Sequence, residues 1–214
     1  MAMTNSATEV LWEMLQSIPG KAEIVNNRIV IELPSYADAD LAWEMLGEIP
    51  GKAEIVNGSI VLQMPTGKEP GMAAGEIFAA IREYARRIGR GRAVGDNVSF
   101  NVDLPDRKSF SPDAAYTDEA RDGTMSAIQS APVFAVEVRN ENDYGPRMET
   151  AIADKIADYF AAGTLAVWDV DLLGENVVTL HRPNHAPQVF QRGQIADAGA
   201  ALPGWTMPVD EIFA

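Results

Sequence analysis

Apolar positions recur every three residues over Trp12, Leu15 and Ile18, and again over Trp43, Leu46 and Ile49. Each run stops at a Pro-Gly pair, 19–20 or 50–51, so each predicts a short helix closed by its breaker. Behind each helix, β-branched runs flank a turn. Glu23-Ile24-Val25 and Ile29-Val30-Ile31 bracket Asn26-Asn27, and in the second stretch the turn is Asn57-Gly58, the strongest short-range hairpin signal. The two stretches are one pattern written twice: residues 12–34 match residues 43–65 at a constant offset of 31, with 16 of 23 positions identical. A helix plus a hairpin is too small to bury its apolar face alone, so the copies must dock on each other, on the rest of the chain or on a second chain. The duplication is then either a dimerisation element or a first copy that covers a sheet edge, and edge cover is the reading preferred here. Residues 35–40 read as the linker.

Beyond the repeat, a Pro/Gly loop at 65–71 leads to residues 72–88, where Ile77, Ile81, Tyr84, Ala85 and Ile88 fall at helical spacing. Strands are expected near 93–102 and 112–117, separated by the polar turn Pro105-Asp106-Arg107-Lys108. The continuous apolar run Val133 to Val138 predicts a strand covered on both faces. A helix from about Pro146 to Ala162 follows, with proline in its first turn and Gly163 behind it, and then a second buried strand over 165–170. Strand, helix, strand implies a right-handed parallel crossover. Strands over 176–182 and 187–191 and a packed tail at 202–205 and 209–213 complete an α/β (α+β) chain.

Length and charge narrow the classes. The 214 residues carry 17 Lys plus Arg against 31 Asp plus Glu, a net charge of −14, and are 47% apolar and 22% charged. This suits one elaborated domain, divided here into an extra repeat unit at 1–40 and a main domain at 41–214, and it excludes a generally cationic nucleic-acid coat. No cysteine is present, so disulfides, thiolate metal sites and a thiol nucleophile are absent together. The amino terminus lacks a basic start followed by an apolar stretch, and no run approaches the ~18 apolar residues of a membrane span. A soluble cytoplasmic protein is expected. The one concentrated positive segment holds Arg82, Arg86, Arg87, Arg90 and Arg92 against Glu83. With Arg107-Lys108 it is the expected rim for a polyanion.

Glu137 most needs explaining, because it interrupts a strand otherwise made of Val, Phe and Ala, and an unpaired buried carboxylate is costly. It must find a cation, a metal or a proton. A second acid, Asp113, stands where a neighbouring strand would begin, and two carboxylates on adjacent strands suit a hard divalent cation such as Mg²⁺. On the helix at 146–162, Met148, Ile152, Ile156 and Tyr159 mark the buried face and Lys155 flanks it, within reach of Glu137. The lysine could serve chemistry or merely neutralise the acid. His181 and His185 have a metal-pair spacing, but the intervening proline favours a surface turn.

Together, Pro112-Asp113, Glu137-Val138-Arg139, the Lys155 to Tyr159 helix and Val167-Trp168-Asp169-Val170 resemble the Uma2 family of restriction-endonuclease-like proteins in the PD-(D/E)XK nuclease superfamily. The resemblance covers about residues 41–213. It includes Ala53 to Gly58, similar to the family's hairpin motif, and Leu202-Pro203-Gly204-Trp205, similar to its closing motif. It implies a restriction-endonuclease-like core, a mixed sheet flanked by helices, with Mg²⁺ (or Mn²⁺) held by Asp113, Glu137 and the carbonyl of Val138. Lys155 takes the role of a migrated catalytic lysine, and Glu54 approaches the same site, with Glu76 a weaker candidate. Arg139 stands where the superfamily pattern has lysine; it cannot act as a base but can bind phosphate. Arg86 and Arg90 are the further substrate-binding candidates. Family members often carry a histidine where this chain has Glu69-Pro70-Gly71. The implied function is metal-dependent hydrolysis of DNA phosphodiester bonds by a homodimer. Two alternatives stand beside it: a catalytically inactive binding or oligomerisation module on the same fold, and a hydrolase of small phosphate esters.

Overall fold

The computed structural model describes residues 22–25, 28–34, 37, 39–49, 51–63, 66–120 and 123–213. The first copy's helix, at 12–18, and its Asn26-Asn27 turn lie outside the described residues. The first copy's hairpin does not: β1 (Ala22–Val25) pairs antiparallel with β2 (Arg28–Glu32). The second copy follows as α1 (Ala39–Glu48), β3 (Ala53–Val56) and β4 (Ser59–Leu62), with Asn57 and Gly58 both at positive φ as a tight two-residue turn demands. The two hairpins join edge to edge in one antiparallel sheet of order β1-β2-β4-β3. Ile29, Ile31, Ile55, Ile60 and Leu62 are buried beneath Ala42 and Leu46 of α1, so the copies share a single small core. The 1–40 boundary therefore runs through a continuous sheet.

The main sheet has six strands in the order β12-β11-β10-β9-β8-β5. These are β5 (Arg92–Val94), β8 (Ala114–Thr117), β9 (Phe134–Val138), β10 (Ala166–Asp171), β11 (Val177–His181) and β12 (Gln188–Phe190). A short ladder of β6 (Phe100–Asn101) with β7 (Ser109–Phe110) lies beside it. The β9–β10 pair is parallel and the others antiparallel, so the expected crossover is present, carried by α3 (Pro146–Ala161). Gly163, at φ 103°, takes up the left-handed turn behind that helix.

Side-chain alternation divides the sheet into two faces. Ala114, Tyr116, Phe134, Val136, Trp168 and Val170 pack under α2 (Lys68–Ile88) and the carboxy-terminal segment. That segment contains β13 (Ile195–Asp197), β14 (Thr206–Pro208) and α4 (Val209–Ile212), and it seals Trp168 against Trp205 at a ring separation of 5.0 Å. On the other face Ala115, Ala135 and Val167 meet Ile156 and Tyr159 of α3 together with Phe100 and Phe110. By the same alternation Asp113, Glu137 and Asp169 belong to the α3 face, one on each of three neighbouring chain segments. In α2, Ile77, Ile81, Tyr84 and Ala85 are buried as their spacing predicts, whereas Ile88 is 43% exposed where the helix runs past the sheet. Among the described residues no helix is long and apolar enough to cross a membrane.

Candidate active site

Four pieces of chain bring charged side chains to one cleft of about 490 Å³. Strand β9 ends in Glu137 and Val138, and the residue before β8 is Asp113. Helix α3 supplies Lys155 and the four-stranded sheet supplies Glu54 from β3; Tyr159 of α3 and Lys52, from the turn before β3, do not line the cleft but bond to its acids Glu137 and Asp113. The outer edge of β3 is fixed to the core by backbone bonds from Asn57 N–H to the Asp106 carbonyl (2.7 Å) and from Lys108 N–H to the Ile55 carbonyl (3.0 Å). The second repeat is thereby one wall of the cleft.

Asp113 accepts the Val138 backbone N–H on Oδ2 at 2.7 Å and the Lys52 ammonium on Oδ1 at 2.5 Å. Lys52 also reaches Asp96 at 2.8 Å, and its side chain is only 8% exposed. Burial disfavours its charge, but the Asp113 and Glu137 carboxylates outweigh that and raise the ammonium above its ordinary value, so it stays protonated. Glu137 accepts Lys155 Nζ on Oε2 at 2.9 Å and the Tyr159 hydroxyl on Oε1 at 2.6 Å. Tyr159 is held in turn by stacking on Phe110, centroids 3.9 Å apart.

Lys155 is shared: its Nζ also lies 2.9 Å from Glu54 Oε1. Glu54 further accepts the Ser111 backbone N–H (2.9 Å) and Arg107 NH1 (2.9 Å). Burial alone would push the Glu54 carboxyl up, but Lys155 and Arg107 prevail and hold it at about 2. Glu137 goes the other way. Burial raises its carboxyl against the pull of Lys155, and the negative charges of Asp113 and Glu54 add to the rise. Two acids sharing one lysine are thus pushed apart, a firmly ionised Glu54 beside a Glu137 short of positive charge.

A hard divalent cation suits this donor set. Asp113 and Glu137 turn anionic oxygens into one cleft with the backbone of Val138 beside them, and the Lys52 ammonium on Asp113 marks the spot as attractive to a cation. Among the described residues no three His, Cys, Asp or Glu side chains converge as a ready cation cage. The residues that would hold such an ion are Asp113 and Glu137, with Lys52 already on one Asp113 oxygen.

Of the sequence candidates, Asp113, Glu137, Val138, Lys155, Glu54 and Arg139 line the cleft. Arg139 is already engaged: its guanidinium donates to Asp169 at 2.7 and 2.6 Å and to Glu149 at 2.6 and 3.0 Å, which ties the end of β9 to β10 and α3. Arg86 and Arg90 are not at the cleft. They sit in the last turn of α2 and just beyond it, exposed, with Arg90 paired to Asp118, whereas the other end of that helix, Gly67 and Lys68, adjoins a groove that shares Arg28, Arg139 and Asp143 with the cleft, a rise of about 30 Å away. Arg107 is not a rim residue either: it is 6% exposed and clamped between Glu54 and Asp158. Glu76 is exposed on α2 and does not line the cleft. The sequence reading missed Lys52, whose signal was its place two residues ahead of Glu54, on the same side of an extended chain, and Tyr159, singled out only as packing.

The family described as "Putative restriction endonuclease", Uma2, matches residues 40–210. The chain belongs to the Uma2 family. A solved structure described as a putative nuclease of DUF820 from Anabaena variabilis has the same fold, with a TM-score of 0.64 at 18% identity over 80% of this chain and 96% of that one. No curated protein matches the chain. The Uma2 match begins at the second repeat and takes in every acid of the cleft, while β1 and β2 precede it.

Proposed function

We propose that this Uma2 protein is an endonuclease that hydrolyses DNA phosphodiester bonds with Mg²⁺ or Mn²⁺. The observation that carries the reading is the meeting of Asp113, Glu137 and Lys155 in one cleft, from the strand start, strand end and crossover helix where a carboxylate pair and a lysine can act on one phosphate. Asp113, Glu137 and the Val138 carbonyl would hold the cation. When bound it supplies Lewis-acid charge to a phosphodiester oxygen.

The remaining work falls to the chain. Val138 N–H fixes one oxygen of Asp113, and Tyr159 fixes one oxygen of Glu137, so both carboxylates are oriented before substrate arrives. Lys155, protonated and anchored by Glu54 and Glu137, presents positive charge to the phosphate as negative charge grows there. Arg139 holds the strand end and is not a base, since a guanidinium does not deprotonate. Among the described residues four cations border the groove that continues from the cleft. Arg139 is held by Asp169 and Glu149, and Arg192 is paired with Asp210. Arg28, from the first hairpin and 3.2 Å from Asp143, and Lys68 at the start of α2 are the two we assign to the substrate backbone. They take the place of Arg86 and Arg90 as backbone contacts.

Plasmid nicking in Mg²⁺ or Mn²⁺ tests this. Wild type nicks, Asp113→Ala and Glu137→Ala lose at least about 100-fold, and Lys155→Met loses activity while Mg²⁺ still raises the melting temperature. Absence of both nicking and metal-induced stabilisation in wild type refutes the assignment.

A further inference from the structure

The pairing that joins the two repeats has a symmetry of its own. Along β2 and β4, Ile29 faces Leu62, Val30 faces Val61 and Ile31 faces Ile60. The repeat offset carries Ile29 onto Ile60, Val30 onto Val61 and Ile31 onto Leu62. The pair Ile29–Leu62 thus maps onto the pair Ile60–Ile31, and Val30–Val61 maps onto itself. This is the contact rule of a two-fold axis passing between Val30 and Val61, the rule of an isologous interface between identical subunits, here obeyed inside one chain. The contact is dry and apolar: Ile29, Ile31, Ile60 and Leu62 are each at most 3% exposed. Strand β4 reads Ser-Ile-Val-Leu, with no charge, proline or bulge to guard its edge.

We infer that the outer edge of β4 is self-complementary, and that β2 covers it in place of a second copy of β4, making the first repeat a built-in substitute for a dimer partner. The full chain is then closed at this edge and monomeric through it. A chain whose first hairpin is undocked dimerises by laying β4 against β4 of a second copy, with the two Val61 residues at the axis. Register leaves little freedom, because a slip of one residue turns the buried isoleucines to solvent. The inference is independent of catalysis.

The absence of cysteine makes the test clean. In the otherwise unchanged full chain, Val30→Cys with Val61→Cys, treated with a short bis-maleimide, is expected to link within one chain, with no doubling of mass on a denaturing gel. Links between chains overturn the proposal. Ile29→Lys with Ile31→Lys undocks β2 by charging its buried face, and Val30→Pro does so by removing a ladder donor from a central strand. Each, combined with Val61→Cys, is expected to double in mass by light scattering and to cross-link to dimer through position 61. Monomers that keep their circular dichroism, dimers that fail to link at 61, or loss of the whole fold in both variants at high protein concentration refute it, since a second copy should rescue the edge.

Discussion

Glu54 shows how far one buried side chain can be set by its neighbours. With Lys155, Arg107 and the Ser111 N–H on its two oxygens its carboxyl is held at about 2. A carboxyl whose folded value is depressed adds stability that is fully present above its unfolded value, about 4.5, and is lost as pH falls towards 2. The contribution is roughly 3 kcal/mol. Urea titrations of wild type and Glu54→Gln between pH 5 and pH 2 are expected to converge: the variant is less stable at pH 5, and the gap closes as the acid limb is descended. A gap independent of pH would place the loss in packing instead. Glu54 was legible because it sits in a hairpin motif similar to the family's own. Lys52 was not: Gly-Lys-Ala-Glu occurs twice in the chain, so the lysine read as part of the repeat, and its role depends on Asp96 and Asp113, 44 and 61 residues away. Arg107 misled for a related reason. A base in a polar turn normally faces water, and the approach of β3 and α3, with Phe110 beneath the guanidinium, buries this one.

At the scale of elements, hydropathy carried most of the fold. The run Val133 to Val138, the helix closed by Gly163 and the second buried run produced the parallel β9–α3–β10 unit within a residue or two of its bounds. The single strand expected near 93–102 is split into β5 and β6, and β7, β13 and β14 were not expected, since two- and three-residue strands have no period to read. One junction makes a sharp prediction. Between α2 and β5 the chain turns through Gly91 at φ 65°, and a Cβ there would lie 2.1 Å from the Tyr116 hydroxyl, which donates to the Arg90 carbonyl. Gly91→Ala is expected to cost roughly 2 to 4 kcal/mol, from the left-handed backbone and the clash together. The thermal midpoint measures it. Gly91→Ala with Tyr116→Phe recovers little of the loss, because the ring carbons behind the hydroxyl still clash with the new Cβ and the backbone stays left-handed.

Over the whole molecule the charge of −14 is unevenly placed. The arginine cluster was legible as a cluster, but counts along a chain do not say which end of a helix faces the site, and α2 carries it to the far end. The groove beside the cleft is instead bordered by Arg28, Lys68, Arg139 and Arg192, among acids that include Glu69, Glu141 and Asp143. DNA binding under these conditions should be weak and steep in salt. Fluorescence anisotropy with a labelled duplex and Ca²⁺ in place of Mg²⁺ is expected to give a log Kd against log salt slope that drops by about 1 in Arg28→Ala. An unchanged slope would remove the first hairpin from the DNA path.

The two ends of that charge distribution meet in the cleft, where Asp113, Glu137 and Glu54 are matched by Lys52, Lys155 and Arg107. The chain carries its own counter-ions for the acids gathered here, so it is expected to fold without a metal cation. Chelator should leave its melting temperature where it stands in metal-free buffer, unlike a small metallodomain that unravels when stripped. Metal would then arrive as a ligand to a finished protein, exchanging with an ammonium, and its concentration could set when the cleft is armed without ever deciding whether the protein exists.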